Sequence, residues 1–162
     1  MLKPEEINKF IDEDNSSERK NQARVGQRYY EAQHDIKSYK ILTFNKEGEL
    51  EEDENVSNIK ISHAFFTELV DQQVQYMLSG GQFAHSDKPE LQEKLDEYFD
   101  DEFIAELNDC LTDVCVNGFG YMYAYIGEDE RLHFEKADAL GVVEVRAKDT
   151  NDNVAYIIYY YD

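Results

Sequence analysis

At 162 residues the chain is long enough for one domain with a real core. Its 41% hydrophobic content, with 9 Phe and 12 Tyr, excludes a wholly disordered protein. A formal charge of −20 excludes a surface that lies entirely on nucleic acid, because phosphates would repel it.

The chain opens with Pro4 at a first helical position, Glu5 and Glu6 behind it, and Ile7, Phe10 and Ile11 on one stripe, which predicts a short amphipathic helix over 4–14. Asn15, Ser16 or Ser17 then caps a second helix over 16–33, apolar only from Val25, Tyr29 and Tyr30, and so expected on a surface or under a neighbouring subunit. Residues 16–40 hold six basic and three acidic side chains, whereas residues 81–117 hold two Lys and eleven acids. Such a basic end and acidic end would suit head-to-tail contact between copies, against the plainer reading of solvated helix faces.

From Lys40 to Asn58 the period collapses into acids around Gly48, which reads as a loop. Ser57 or Asn58 is then placed as the cap of a helix over 58–79. Ile61, Phe65 and Leu69 form one row and Phe66, Val70, Val74 and Met77 or Leu78 a second, so the helix is expected to be central and buried on two sides. Gly80 and Gly81 end it with a left-handed cap.

Helices over 88–98 and 100–117 follow, the second carrying Phe103, Leu107, Cys110, Leu111 and Val114 at helical spacing and stopped by Gly118 and Gly120. The period then changes to β-rich runs over 119–126, 131–136, 141–147 and 153–161. The expected fold is α+β: N-terminal helices followed by a mostly antiparallel sheet, in a single region over 1–162. Cys110 and Cys115 sit five positions apart on one helix, with Cα atoms about 8 Å apart, beyond disulfide reach. Buried free thiols in a reducing compartment are expected, in a soluble intracellular protein with no membrane partner.

Candidate chemistry is thin. Asp149 to Asn153 has the spacing of the first calcium-loop ligands, but Val154 stands at the turn glycine and Tyr160 at the closing glutamate, so it reads as a hairpin turn. His34, His63, His85 and His133 are scattered without metal-ligand spacing. The glycines of "GFG" follow a helix and precede a strand, the reverse of a phosphate cradle. Paired acids such as Asp100 and Asp101 lie in exposed-looking runs. No catalytic residue, cofactor or metal site is expected.

What remains distinctive is an ordered set of motifs. Tyr29, Tyr30, His34, Asp35 and Ile36 come first, then Asn58, Ile59, Phe65, Phe66, Val70, Asp71 and Gln72, then Gly118 and Gly120, then Tyr159 and Tyr160. In this order they resemble the N-terminal, wing-like part of siphophage-type portal proteins of tailed bacteriophages, over residues 20–162. The resemblance implies a structural subunit of a virion ring of about twelve copies at one capsid vertex, assembled in the bacterial host cytoplasm. Its partners would be terminase, scaffold or capsid proteins, head–tail connector proteins, and double-stranded DNA passing through the channel without sequence readout. Family members run longer, and their stem, clip and tunnel-lining helices follow the matched part, so the chain reads as a fragment or a truncated prophage remnant. Arg19, Arg24 and Arg28, with Tyr29 and Tyr30, are the candidate subunit contacts. Two other readings compete: an acidic adaptor or DNA mimic, which would be a monomer binding a basic partner in a salt-dependent way, and a carboxylate-metal hydrolase, which needs convergent buried acids.

Overall fold

The computed structural model describes residues 2–81, 83–146 and 153–161. Among these residues five helices and six strands occur in the order α1 (Pro4–Asn15), α2 (Glu18–Tyr30), β1 (Leu42–Phe44), β2 (Leu50–Glu52), α3 (Phe65–Leu78), α4 (Pro89–Tyr98), α5 (Asp101–Asn117), β3 (Tyr121–Ile126), β4 (Leu132–Ala137), β5 (Val142–Arg146) and β6 (Val154–Tyr159). Short 3-10 turns occupy Asp35–Ser38 and Ala139–Gly141. The fold is α+β, as its pattern of elements predicts. The strands do not form one sheet, however: among the described residues they pair as three antiparallel hairpins, β1 with β2, β3 with β4 and β5 with β6.

Helix α5 is the hub, since α2, α3 and β4 all pack against it, while α1 lies on β5. Its start is set by Asp100, whose carboxylate accepts the N–H groups of Glu102 and Phe103 at 3.0 Å each. Its end is set by Gly118 at φ +80°, a left-handed cap that a side chain would resist. The core around this hub is built of small and β-branched side chains: Ala23, Val70, Val74, Cys110, Ala137, Ala139, Val142, Val143 and Val145 are all buried. Beside it Phe103 packs edge-on against Phe83, Phe99 and Phe134, with ring centroids 4.8 to 6.0 Å apart.

Helix α2 is less superficial than its thin apolar content suggests. Ala23 is fully buried, and a Cβ on Gly26 would lie 2.1 Å from the Val116 carbonyl oxygen, so two small residues let α2 and α5 approach closely. The helix is capped by Ser17, which accepts the Lys20 N–H, and it ends at Tyr30, short of residue 33. Ala32 at φ +56° turns the chain away.

The expected helix over 58–79 begins late, at Phe65, so neither Ser57 nor Asn58 caps it. Instead the preceding segment is extended and tied sideways: Asn58 Nδ2 donates to the Tyr39 carbonyl at 3.2 Å and Lys60 Nζ to the Lys37 carbonyl at 2.9 Å. Those side chain to backbone bonds compete with a helical turn. His63 Nδ1 then accepts the Phe65 N–H at 3.2 Å and helps to start the helix. Of the two apolar rows only the second is core, with Val70 and Val74 at 4% and 2% exposure and Phe66 half-buried. Ile61, Phe65 and Leu69 are 73%, 57% and 48% exposed, so α3 is buried on one side, not two. The left-handed residue after it is Gly81, at φ +67°.

The stretch from Lys40 to Asn58 is also corrected. It contains the β1–β2 hairpin, in which Phe44 faces Leu50 and Leu42 faces Glu52. The strands are three residues long, too short to show a period against the acids around them. Of the Asp149 to Asn153 motif, residues 149–152 lie outside the described residues, but Arg146 and Val154 pair across it as the two ends of a hairpin.

Candidate subunit interface

The sequence nominates a basic row on α2. The helix geometry divides it, because five residues at about 100° each turn Arg19 away from Arg24. Arg19 lies over the Phe119 ring at 3.9 Å and donates to the Tyr121 hydroxyl at 2.8 Å. Arg24 donates to the Asn15 carbonyl at 2.9 Å and to Asn21 Oδ1 at 3.1 Å. Arg28 is 3.0 Å from Asp35 Oδ1, and the Tyr29 hydroxyl donates to the other oxygen of the same carboxylate. Each arginine of the row therefore has partners within its own chain.

Several motif residues meet across the fold. The Tyr30 hydroxyl donates to Asp71 Oδ1 at 2.9 Å, joining α2 to α3. Burial first, and then the Asp71 carboxylate, push the Tyr30 phenol above its ordinary pKa. The Thr67 hydroxyl adds a bond to the Tyr30 carbonyl. His34 Nε2 lies 2.7 Å from the His63 carbonyl oxygen, and its ring packs edge-on against Tyr29. Gln72 is exposed, whereas Val70 is core. Gly120 is held by close approach, since a Cβ there would sit 2.7 Å from the Cys110 carbonyl oxygen.

Three exposed apolar surfaces stand out. The first is an open groove of about 500 Å³ between the 3-10 turn and the start of α3, lined by Tyr29, Ile36, Ile61, Phe65, Phe66 and Leu69 with the two histidines. The second is one face of the β1–β2 hairpin, where Leu42, Phe44 and Leu50 are 53%, 71% and 60% exposed. The third is a tyrosine ladder that crosses from one hairpin to another: Tyr125, Tyr123, Tyr159 and Tyr161 follow one another at ring-centroid spacings of 5.8, 6.1 and 5.9 Å. Within it the Tyr123 hydroxyl donates to the Glu135 carboxylate, and that bond pushes its pKa up to about 12. Tyrosines of this kind offer large, rigid contact area with a polar tip, the composition of protein interfaces.

The groove was half legible, because Phe65, Tyr29 and Ile36 belong to the motif set. The hairpin face was missed, because two apolar positions, Leu42 and Phe44, before "NKEG" are too few to establish a period. Among the described residues no group of three or more His, Cys, Asp or Glu is placed to hold a metal ion. Cys110 and Cys115 are free thiols, and burial pushes the Cys110 thiol above its ordinary pKa, which lowers its reactivity. No helix among the described residues is long and apolar enough to cross a membrane.

An α+β body with several uncovered apolar faces is suited to packing against other protein. Comparison with known proteins agrees with that character. The family described as "Phage portal protein, SPP1 Gp6-like" matches residues 9–162. The portal protein of Bacillus phage SPP1 is 26% identical over 155 residues, which cover 96% of this chain and 30% of that protein. The chain thus spans under a third of the length of this curated relative. With nearly its whole length matched, the chain belongs to the SPP1 Gp6-like phage portal protein family.

Proposed function

We propose that the chain is a structural part of a portal subunit, contributing wall mass to the ring through which a phage genome enters and leaves the capsid. The family match over residues 9–162 carries this reading. The uncovered groove, hairpin face and tyrosine ladder support it, because a subunit built for a ring must leave apolar surface for its neighbours. The ring of about twelve copies, and contact with terminase, capsid and connector proteins, belong to the same proposal. DNA would pass without sequence readout, since a −20 charge repels phosphate and favours sliding over adhesion. The protein acts in this reading by shape and rigidity, without catalysis, in the virion and before that in the host cytoplasm.

Electron microscopy of the product of the reading frame that carries this sequence tests the proposal. Rings with a central channel are expected. A product that stays monomeric under capsid-assembly conditions would overturn it.

A further inference from the structure

The hairpin and the groove are the two surfaces whose features complement each other. A two-stranded hairpin with three-residue strands is marginal in water, and all six strand residues here are exposed. Its apolar side chains share one face, because Phe44 stands opposite Leu50 and Leu42 lies two residues before Phe44. Residues 47–54 carry six acids, Glu47, Glu49, Glu51, Glu52, Asp53 and Glu54, of which Glu51, opposite Thr43, points to the other face and Glu52 pairs with Lys40. The groove is apolar inside, and beside it stand Lys37 and Lys60. Among the described residues neither has an ion-pair partner; the only bond made by the Lys60 ammonium goes to the Lys37 carbonyl. Within one chain neither surface covers the other. Phe44 is 71% exposed, and no residue lining the groove comes from the hairpin.

We propose that the β1–β2 hairpin of one copy seats its Leu42, Phe44 and Leu50 face in the groove of a second copy, against Ile36, Ile61 and Phe65, with the acids of the hairpin meeting Lys37 and Lys60. Different surfaces of the two copies meet, so the contact is head-to-tail, and repetition of it closes a ring if the rotation per copy allows. The inference rests on the ring-subunit reading and identifies the partner as a second copy of this chain. Burial of the apolar face supplies the attraction. The flanking charges select the register and make the contact weaken with salt.

Sedimentation equilibrium on the 162-residue chain is the test. Concentration-dependent association is expected, weaker at high salt. Phe44→Asp and Ile61→Asp each weaken it about tenfold or more, while leaving the melting temperature of the monomer unchanged because both side chains lie in solvent. An equimolar mixture of the two variants forms a 1:1 complex that does not grow, since one intact hairpin and one intact groove remain. Three results would overturn the contact: a wild-type chain that stays monomeric, association indifferent to Phe44→Asp, or a mixture that fails to pair. Rings of the product of the reading frame that carries this sequence, persisting with Phe44→Asp, would also sink this contact and leave the ring reading standing.

Discussion

Lys20 Nζ lies 2.6 Å from Asp14 Oδ2, with the lysine side chain 2% exposed and the aspartate 25%. The same ammonium donates to the Leu140 carbonyl at 2.6 Å and lies 5.5 Å from the centre of the Tyr160 ring, so one buried cation ties α1, α2 and the end of the chain together. The contact with Asp14 is an ion pair without hydrogen-bond alignment, and among the described residues that oxygen has no hydrogen-bond donor.

The asymmetry of burial sets the order of two mutations. Asp14→Ala leaves a charged lysine almost without water and should cost about 3 kcal/mol, within the range for breaking a buried pair. Lys20→Met keeps the packing and leaves an aspartate whose Oδ2 is buried but whose side chain is 25% exposed, so it should cost less, about 2 kcal/mol. Urea denaturation of both variants checks the order. A larger loss for Lys20→Met would mean that the lysine stem and its carbonyl bond outweigh the ion pair.

Gly26→Ala should destabilise by about 2 to 3 kcal/mol, although alanine is the better helix former by about 1 kcal/mol. The new methyl would meet the Val116 backbone carbonyl at 2.1 Å, and a backbone atom of α5 cannot swing aside as a side chain could. Gly80→Ala serves as the control, since nothing lies within 4 Å of its Cβ position. Equal melting temperatures for the two variants would contradict the close approach of α2 and α5.

Helix α3 should show its two sides in mutational cost. Val74→Ala removes two buried methyl groups and should cost about 2 kcal/mol, whereas Phe65→Ala, with a larger but exposed side chain, should cost under about 1 kcal/mol in the monomer. Phe66 is half-buried, so its truncation falls below the 3 to 5 kcal/mol typical of a fully buried aromatic. Thermal melts of the three variants at low protein concentration provide the measurement.

Glu144 gives the fold a pH-dependent contribution of known sign. The Tyr121 hydroxyl donates to its carboxylate at 2.9 Å, and this bond, helped by Arg146 and Arg19, holds the carboxyl below its ordinary value of 4.5. The folded protein therefore binds fewer protons at this site than the unfolded chain near that value. Its stabilisation is present above pH 4.5 and is lost as pH falls through the folded value. Glu144→Gln should lower the melting temperature at neutral pH, and the difference from wild type should shrink in more acidic buffer. A difference that grows on acidification would reverse the assigned sign.

Each end of α5 and the cap of α2 could be read from local chemistry. Asp100, Gly118 and Ser17 act through bonds to neighbouring backbone or through their own φ angle, so their roles are written in the residues beside them. The α+β order, the β-rich C-terminal runs and the free cysteines were legible for the same reason. The motif order from Tyr29 to Tyr160 led to the right family, because it was specific as a set where each part was common.

Tertiary structure alone decided which faces are covered. Periodicity marks both apolar rows of α3, but burial depends on what packs there, and α5 and α2 cover only the Val70 and Val74 row. The arginines of α2 looked like a free basic face until Phe119, Tyr121, Asn15 and Asp35 arrived from elsewhere in the chain to occupy them. The hairpin at Leu42 to Glu52 emerges only when its two strands pair, because strands of three residues carry too little pattern to outweigh an acidic run. Local order follows from the free energy of a few adjacent residues, whereas exposure is a property of the whole packing.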